Sequence, residues 1–171
     1  LEAVALLKQQ VVEGKLQKFK LVVVGRVVPE MEAKLKAMEQ ALGVADVVVW
    51  LGHKESEDCS TYLWAGDLAV LPFDEGVRLN NSSFAVCAMH GLPIITTQGQ
   101  NLEPAFAHAK NVFLCPSRNK KALAGAIEHL MRSSAARETL GREASKLADV
   151  VFSWDVTLAA TLKVLRSVQP A

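Results

Sequence analysis

The chain has 171 residues, half of them apolar and 22% charged, with a formal net charge of +1. That length suits one domain around one core, and the charge balance excludes both a disordered segment and a surface built to coat nucleic acid. Cys59, Cys87 and Cys115 are odd in number and widely spaced, which predicts free thiols in a reducing, intracellular compartment rather than a disulfide framework or a metal site.

Short β-branched runs alternate with stretches of helical period, the pattern of βαβ units around a parallel sheet. Residues Glu2 to Leu16 place Val4, Leu7, Val11 and Val12 at helical spacing, with Gly14 as the stop. The first strand follows at Leu21 to Val24, ended by Gly25. Pro29 suits a first helical turn, and Met31, Leu35, Met38 and Leu42 continue one face until Gly43. Val47 to Leu51 is the second strand, closed by Gly52. A helix near Ser56 to Ala65 leads to the strand Leu68 to Leu71, and a further helix runs from Ser83 to His90. Then come the strand Ile94 to Thr97, a short helix around Glu103 to Ala109, and a fifth strand at Val112 to Cys115. Beyond Pro116 the pattern is helical throughout, with Leu123 to Leu130, Leu140 to Leu147 and Trp154 to Leu165 as its segments. The fold class is therefore α/β with a mostly parallel sheet and C-terminal helices. No run approaches the ~20 apolar residues of a membrane span and no signal-peptide pattern opens the chain, so a soluble domain is expected. The sequence begins without methionine inside a helical pattern, as a piece of a longer protein would.

In an open parallel sheet, ligands bind beyond the carboxyl ends of the strands, where loops feed helix N-termini that attract phosphate. The loops so placed read Gly25-Arg26, Gly52-His53, Phe73 to Ser83, Thr96 to Glu103 and Pro116-Ser117. The third is the richest, with Asp74, Glu75, Gly76, Arg78, Asn80, Asn81, Ser82 and Ser83 ahead of an apolar helix. Ser82 or Ser83 is the expected N-cap. Two readings stand: a phosphate site in which Arg78 adds a forked pair of hydrogen bonds, or a capped helix after a solvated loop with Arg78 paired to Glu75 or Asp74. His53 follows a strand-ending glycine, where a ring can stack on a base or face water. His90 is expected at a helix end or in the core, and His108 and His129 on the surfaces of helices. No histidine set has metal-ligand spacing, no Ser-His-Asp order carries a nucleophile signature, and neither glycine-rich nucleotide motif is present.

Taken in series, Val22-Val23-Val24-Gly25, Val49-Trp50-Leu51-Gly52, Ala65-Gly66-Asp67-Leu68-Ala69-Val70-Leu71-Pro72, Glu75-Gly76 and Met89-His90-Gly91-Leu92-Pro93-Ile94-Ile95 resemble the C-terminal domain of group 1 glycosyltransferases. These are family 4 enzymes of the GT-B fold. The likeness continues through Gly99, Glu103, Asn111 to Pro116, Arg137 to Gly141 and Phe152-Ser153-Trp154. It implies a Rossmann-like three-layer domain that binds a nucleoside diphosphate sugar, paired with an N-terminal acceptor domain lying outside this chain. It implies retaining transfer without metal or other cofactor, in the cytoplasm, and is compatible with association of the full-length enzyme with the cytoplasmic face of a membrane. Glu75 is then the carboxylate expected to reach the sugar and act in catalysis. Gly25, Arg26, Gly52, His53, Gly76, Arg78, Asn80, Asn81, Ser82 and Ser83 are the expected donor-binding residues.

Three departures from that family stand out. Its second glutamate, expected on the ribose, is replaced by Ser83 or Val86 according to the end from which the spacing is counted. The loop Val77 to Ser82 is longer by about two residues and carries Arg78, and the family's first strand with its lysine-containing loop would precede Leu1. A sugar-nucleotide epimerase of the same architecture is the nearest other enzyme, and a non-catalytic nucleotide-sugar-binding or scaffolding domain the alternative from another class.

Overall fold

The computed structural model describes residues 1–168. Helices and strands alternate along them: α1 (Glu2–Val12), β1 (Leu21–Val24), α2 (Pro29–Ala41), β2 (Val48–Gly52), α3 (Ser56–Ala65), β3 (Ala69–Leu71), α4 (Ser82–Met89), β4 (Ile94–Gln98), β5 (Phe113–Pro116), α5 (Lys120–Arg132), α6 (Ser134–Val151) and α7 (Trp154–Ser167). All strand pairings among the described residues are parallel. β1 pairs with β2, and β3, β4 and β5 form a second sheet in that order. Among the described residues the chain divides into two compact units, one of residues 1–65 with 118–132, the other of residues 66–117 with 133–168.

In the first unit, Val4, Val44 and Val48 form a buried cluster with Leu21, Val23 and Trp50 packed on it. β1 alternates half-buried Leu21 and Val23 with exposed Val22 and Val24, the period-two pattern of a strand with one covered face. The indole Nε1 of Trp50 donates to Oε2 of buried Glu39 at 2.8 Å, which ties β2 to α2 and satisfies a carboxylate that would otherwise be costly to bury. Pro29 opens α2 as expected, since its missing N–H belongs to a group without an intrahelical partner. α1 and α5 pack together, with Gln10 Nε2 donating to Glu128 at 3.0 Å.

The second unit is organised by β4, whose Ile94, Ile95, Thr96 and Thr97 are all buried between β3 and β5. α4 turns Phe84, Cys87 and Ala88 inward at i, i+3 and i+4, the single face of a helix. Phe84 is fully buried, with Phe106 edge-on at 5.0 Å and Phe152 at 6.2 Å between ring centroids. Burying a ring of that size contributes about 1.5–3 kcal/mol, so this trio anchors α4 and the 103–106 loop together. Ser133 caps α6 by accepting from Ala136 N at 3.2 Å, and the helix starts well before the Leu140 expected from its apolar face. α7 follows Ser153 and buries none of its residues.

One expected element is absent. Residues 103–109, predicted as a short helix, form turns that end in a bridge between His108 and Val112. Asn111 replaces helical bonding there: its Oδ1 accepts from Ala107 N at 2.9 Å and its Nδ2 donates to Ala105 O at 2.8 Å. Ala109, at φ 57°, lies outside the right-handed helical region and fits this loop rather than a helix. His108 is therefore exposed on a loop, not on a helix, and its Nδ1 accepts from Leu114 N at 3.0 Å. His129 is exposed on α5, and His90 is the residue that closes α4, its Nδ1 2.8 Å from Val86 O.

Candidate functional site

The expected site residues fall into two groups, one in each unit. In the first, the carboxyl ends of β1 and β2 lie side by side. Val24 aligns with Gly52, past a register shift after Val23, and Gly25 N donates to Gly52 O at 2.9 Å. Two strand-ending glycines thus meet edge to edge and leave Arg26 and His53 exposed beyond them. His53 Nε2 lies 3.7 Å from Glu55 Oε1, and both side chains face solvent.

In the second unit the loop after β3 is fastened to the end of β4. Thr96 Oγ1 donates to Leu71 O at 2.6 Å, and Thr97 Oγ1 donates to Phe73 O. Val77 N donates back to Thr97 O at 2.8 Å. Both threonines are buried, so their hydroxyls find partners in the loop's carbonyls as burial requires. The result places Gly76 on Gly99. A Cβ at Gly76 would fall on the backbone of Gly99, and a Cβ at Gly99 on the carbonyl of Glu75. Gly76 also has φ +88°, a conformation that L side chains rarely adopt. Glycine is needed at both positions for two loops to touch backbone to backbone, and Glu75 is presented there with its side chain exposed.

The turn from Arg78 to Asn81 leads into α4. Arg78 N donates to Asn81 Oδ1 at 2.7 Å, and Asn81 N donates to Arg78 O at 3.1 Å. Leu79 N donates to Glu103 Oε2 at 2.8 Å. The helix begins at Ser82, so the N-cap is Asn81, a correction to the expectation of Ser82 or Ser83. Asn81 makes no side-chain cap, because its oxygen is already engaged by Arg78 N. The first helical bond is Ala85 N to Asn81 O, at 3.1 Å. The N–H groups of Ser82, Ser83 and Phe84 are left at the helix start with no intrahelical acceptor and no cap.

Arg78 is exposed and its guanidinium has no hydrogen bond or ion pair among the described residues, which removes the expectation that it pairs with Glu75 or Asp74. Arg78, Leu79 and Asn80 line an open pocket of about 460 Å³ with Glu103, Val151 and Phe152. Glu75 and Ser83 do not line it. The sequence reading missed Glu103 as a contributor here. The signal available was its place in the 96–103 loop beyond the next strand, but its bond to Leu79 spans 24 residues and leaves no local pattern. Burial pushes the Cys87 thiol up to about 11 and raises Cys115 as well, so neither is a ready thiolate at neutral pH.

Residues 1–147 match the family model described as glycosyl transferases group 1. No curated protein matches the chain. Among solved structures it is similar to sucrose-phosphate synthase from Thermosynechococcus elongatus, with a TM-score of 0.79 and 19% identity over 97% of this chain and 41% of that one. HepE from Anabaena, in complex with UDP, gives 0.80 and 18% over 98% of this chain and 44% of that one. The C-terminal domain of the group 1 glycosyl transferase LpcC from Francisella tularensis gives 0.71 and 13% over 90% and 77%. At such identities the likeness is one of fold, and the chain spans under half the length of the first two structures. No helix among the described residues is long and apolar enough to cross a membrane. Its parallel sheets flanked by helices are the Rossmann-like architecture of a GT-B C-terminal domain, and the chain belongs to the group 1 glycosyltransferases.

Proposed function

We propose that this chain is the donor-binding half of a retaining glycosyltransferase and holds a nucleoside diphosphate sugar between Glu75 and the N-terminus of α4. The observation that carries the reading is Arg78, unpaired among the described residues, in the turn that leads into a helix whose N-cap side chain is turned elsewhere. A guanidinium and uncapped helical N–H groups both suit phosphate oxygens, and the helix dipole adds to them. HepE, similar in fold, is described in complex with UDP and with UDP-glucose, which supports this class of ligand.

Transfer breaks the bond between the anomeric carbon and the diphosphate oxygen and makes one from that carbon to an acceptor oxygen, whose proton passes to the departing diphosphate. Negative charge grows on the departing diphosphate. Arg78 and the N–H groups of Ser82, Ser83 and Phe84 meet that charge as it develops, the kind of interaction that lowers a barrier rather than merely tightening binding. In this reading their charge suffices without a metal ion or cofactor. Exposed Glu75, on the loop whose Gly76 touches Gly99, is assigned in this reading to the sugar, accepting from its hydroxyls and steering the anomeric carbon. The acceptor is carried by a separate N-terminal domain, and the protein works in the cytoplasm.

The test is calorimetric titration of the full-length protein with UDP, then incubation with UDP-glucose and a panel of sugar and lipid-linked acceptors read by mass spectrometry. Binding followed by a hexose added to an acceptor is the expected result. Release of an epimerised sugar instead would make the protein an epimerase, binding without product a scaffold, and no binding of nucleoside diphosphates would overturn the donor site.

A further inference from the structure

We propose that Glu103 is a positioning residue that keeps the N-terminus of α4 uncapped and therefore open to the donor's diphosphate. The inference rests on the donor reading above and adds to it a residue on a different loop.

The peptide joining Arg78 to Leu79 is held at both ends. Its carbonyl accepts from Asn81 N at 3.1 Å, and its N–H donates to Glu103 Oε2 at 2.8 Å. That orientation closes the turn and brings Asn81 Oδ1 to within 2.7 Å of Arg78 N. Asparagine at an N-cap ordinarily accepts from the second or third N–H of its own helix. Here that oxygen is spent on the turn, and α4 starts without a side-chain cap. Glu103 is itself fixed from behind, since its carbonyl accepts from Phe106 N at 3.0 Å and its loop begins at the glycine on which Gly76 rests. It lines the same pocket as Arg78.

Without the Glu103 carboxylate, Leu79 N–H loses its partner and the peptide is free to rotate. The turn opens, and Asn81 is released to swing round and cap α4 itself. The cap stabilises the helix while it occupies the N–H groups that would have met phosphate, and Arg78 moves with the opened turn. Affinity for the diphosphate falls while stability does not.

The experiment compares Glu103→Ala and Glu103→Gln with the parent in the full-length protein, by calorimetric titration with UDP and by thermal melting. Glu103→Ala is expected to weaken UDP binding by about tenfold, one decade of affinity, with an unchanged or raised melting temperature. Glu103→Gln keeps an oxygen that accepts from Leu79 N and should recover most of that loss. A lowered melting temperature with unchanged UDP affinity would make Glu103 a plain structural tie and overturn the proposal. So would a glutamine variant as weak as the alanine one, since the charge would then matter rather than the hydrogen bond. If the parent protein does not bind UDP at all, the donor reading fails first, and that result is told apart from a parent that binds and an alanine variant that binds equally well.

Discussion

Arg78 carries the heaviest share of the proposed chemistry, and its effect is separable from folding. It is exposed and has no ion pair among the described residues, so replacing it removes no packing. A charge-assisted hydrogen bond to phosphate contributes ~1.5–3 kcal/mol net, so Arg78→Ala should weaken UDP binding by about tenfold or more with an unchanged melting temperature. Calorimetry on the full-length protein reads the first and a melting curve the second, and unchanged affinity removes Arg78 from the site. Glu75 sits in the same loop with its side chain in solvent. Glu75→Gln should cut turnover by roughly 10- to 100-fold, the loss of one such charged hydrogen bond, while stability moves by no more than about 0.5 kcal/mol. Intact kinetics with a large loss of stability would return Glu75 to a structural role. The sequence made these residues visible because a cluster of charges and amides ahead of an apolar run is a local pattern. It left open where Arg78 points, since that depends on whether any acidic neighbour turns toward it. Glu103 was legible only as a matched position, because its role comes from a contact between loops.

At the scale of elements, strands and helices followed from runs of valine and isoleucine, from glycine stops and from Pro29. The strand bounds differ from the expected ones by at most one residue, whereas α1 ends at Val12 rather than Leu16 and α6 spans Ser134–Val151 rather than Leu140 to Leu147. One misjudged stretch is 103–109, expected as a short helix, where Asn111 supplies the hydrogen bonds from outside it. A side chain that closes a loop from several residues away has no periodic signature. α4 was placed correctly while its cap was not, since serine, serine and asparagine compete as neighbours and the choice depends on which oxygen Arg78 N takes. The contact between the β3 loop and the β4 loop is the joint on which the site depends. Gly76→Ala would press a methyl group onto the Gly99 backbone at a φ of +88°, and should destabilise by roughly 2–6 kcal/mol from overpacking and left-handed strain together. Gly125→Ala, in the middle of α5 with nothing within 4 Å of its new Cβ, should instead stabilise by up to about 1 kcal/mol through helix propensity. Chemical denaturation of the two variants checks the contrast, and equal effects would mean that the loops separate easily.

For the whole molecule, parallel pairing and the series of weak motifs carried the family, whereas division of the strands into sheets of two and three was not legible, because neighbours in a sheet are chosen by packing rather than by any one strand's residues. The chain covers 41% of sucrose-phosphate synthase and 44% of HepE, the structures it resembles over nearly its whole length. A sugar transferase must hold two substrates, and the residues assigned here account for the donor alone. Residues 1–171, prepared by themselves and shown folded by circular dichroism, are therefore expected to bind UDP weakly and to transfer no sugar, while the full-length protein does both. The reason is energetic. Orienting an acceptor hydroxyl against the anomeric carbon converts a bimolecular step into an effectively unimolecular one, worth ~7–11 kcal/mol of barrier in well-aligned cases, and a donor site without an acceptor site forgoes that gain. The assay is glycosyl transfer from UDP-glucose at matched concentrations of fragment and full-length protein. Robust transfer by the fragment would mean that the acceptor site lies within these residues, and the division of labour proposed for the two halves would have to be abandoned.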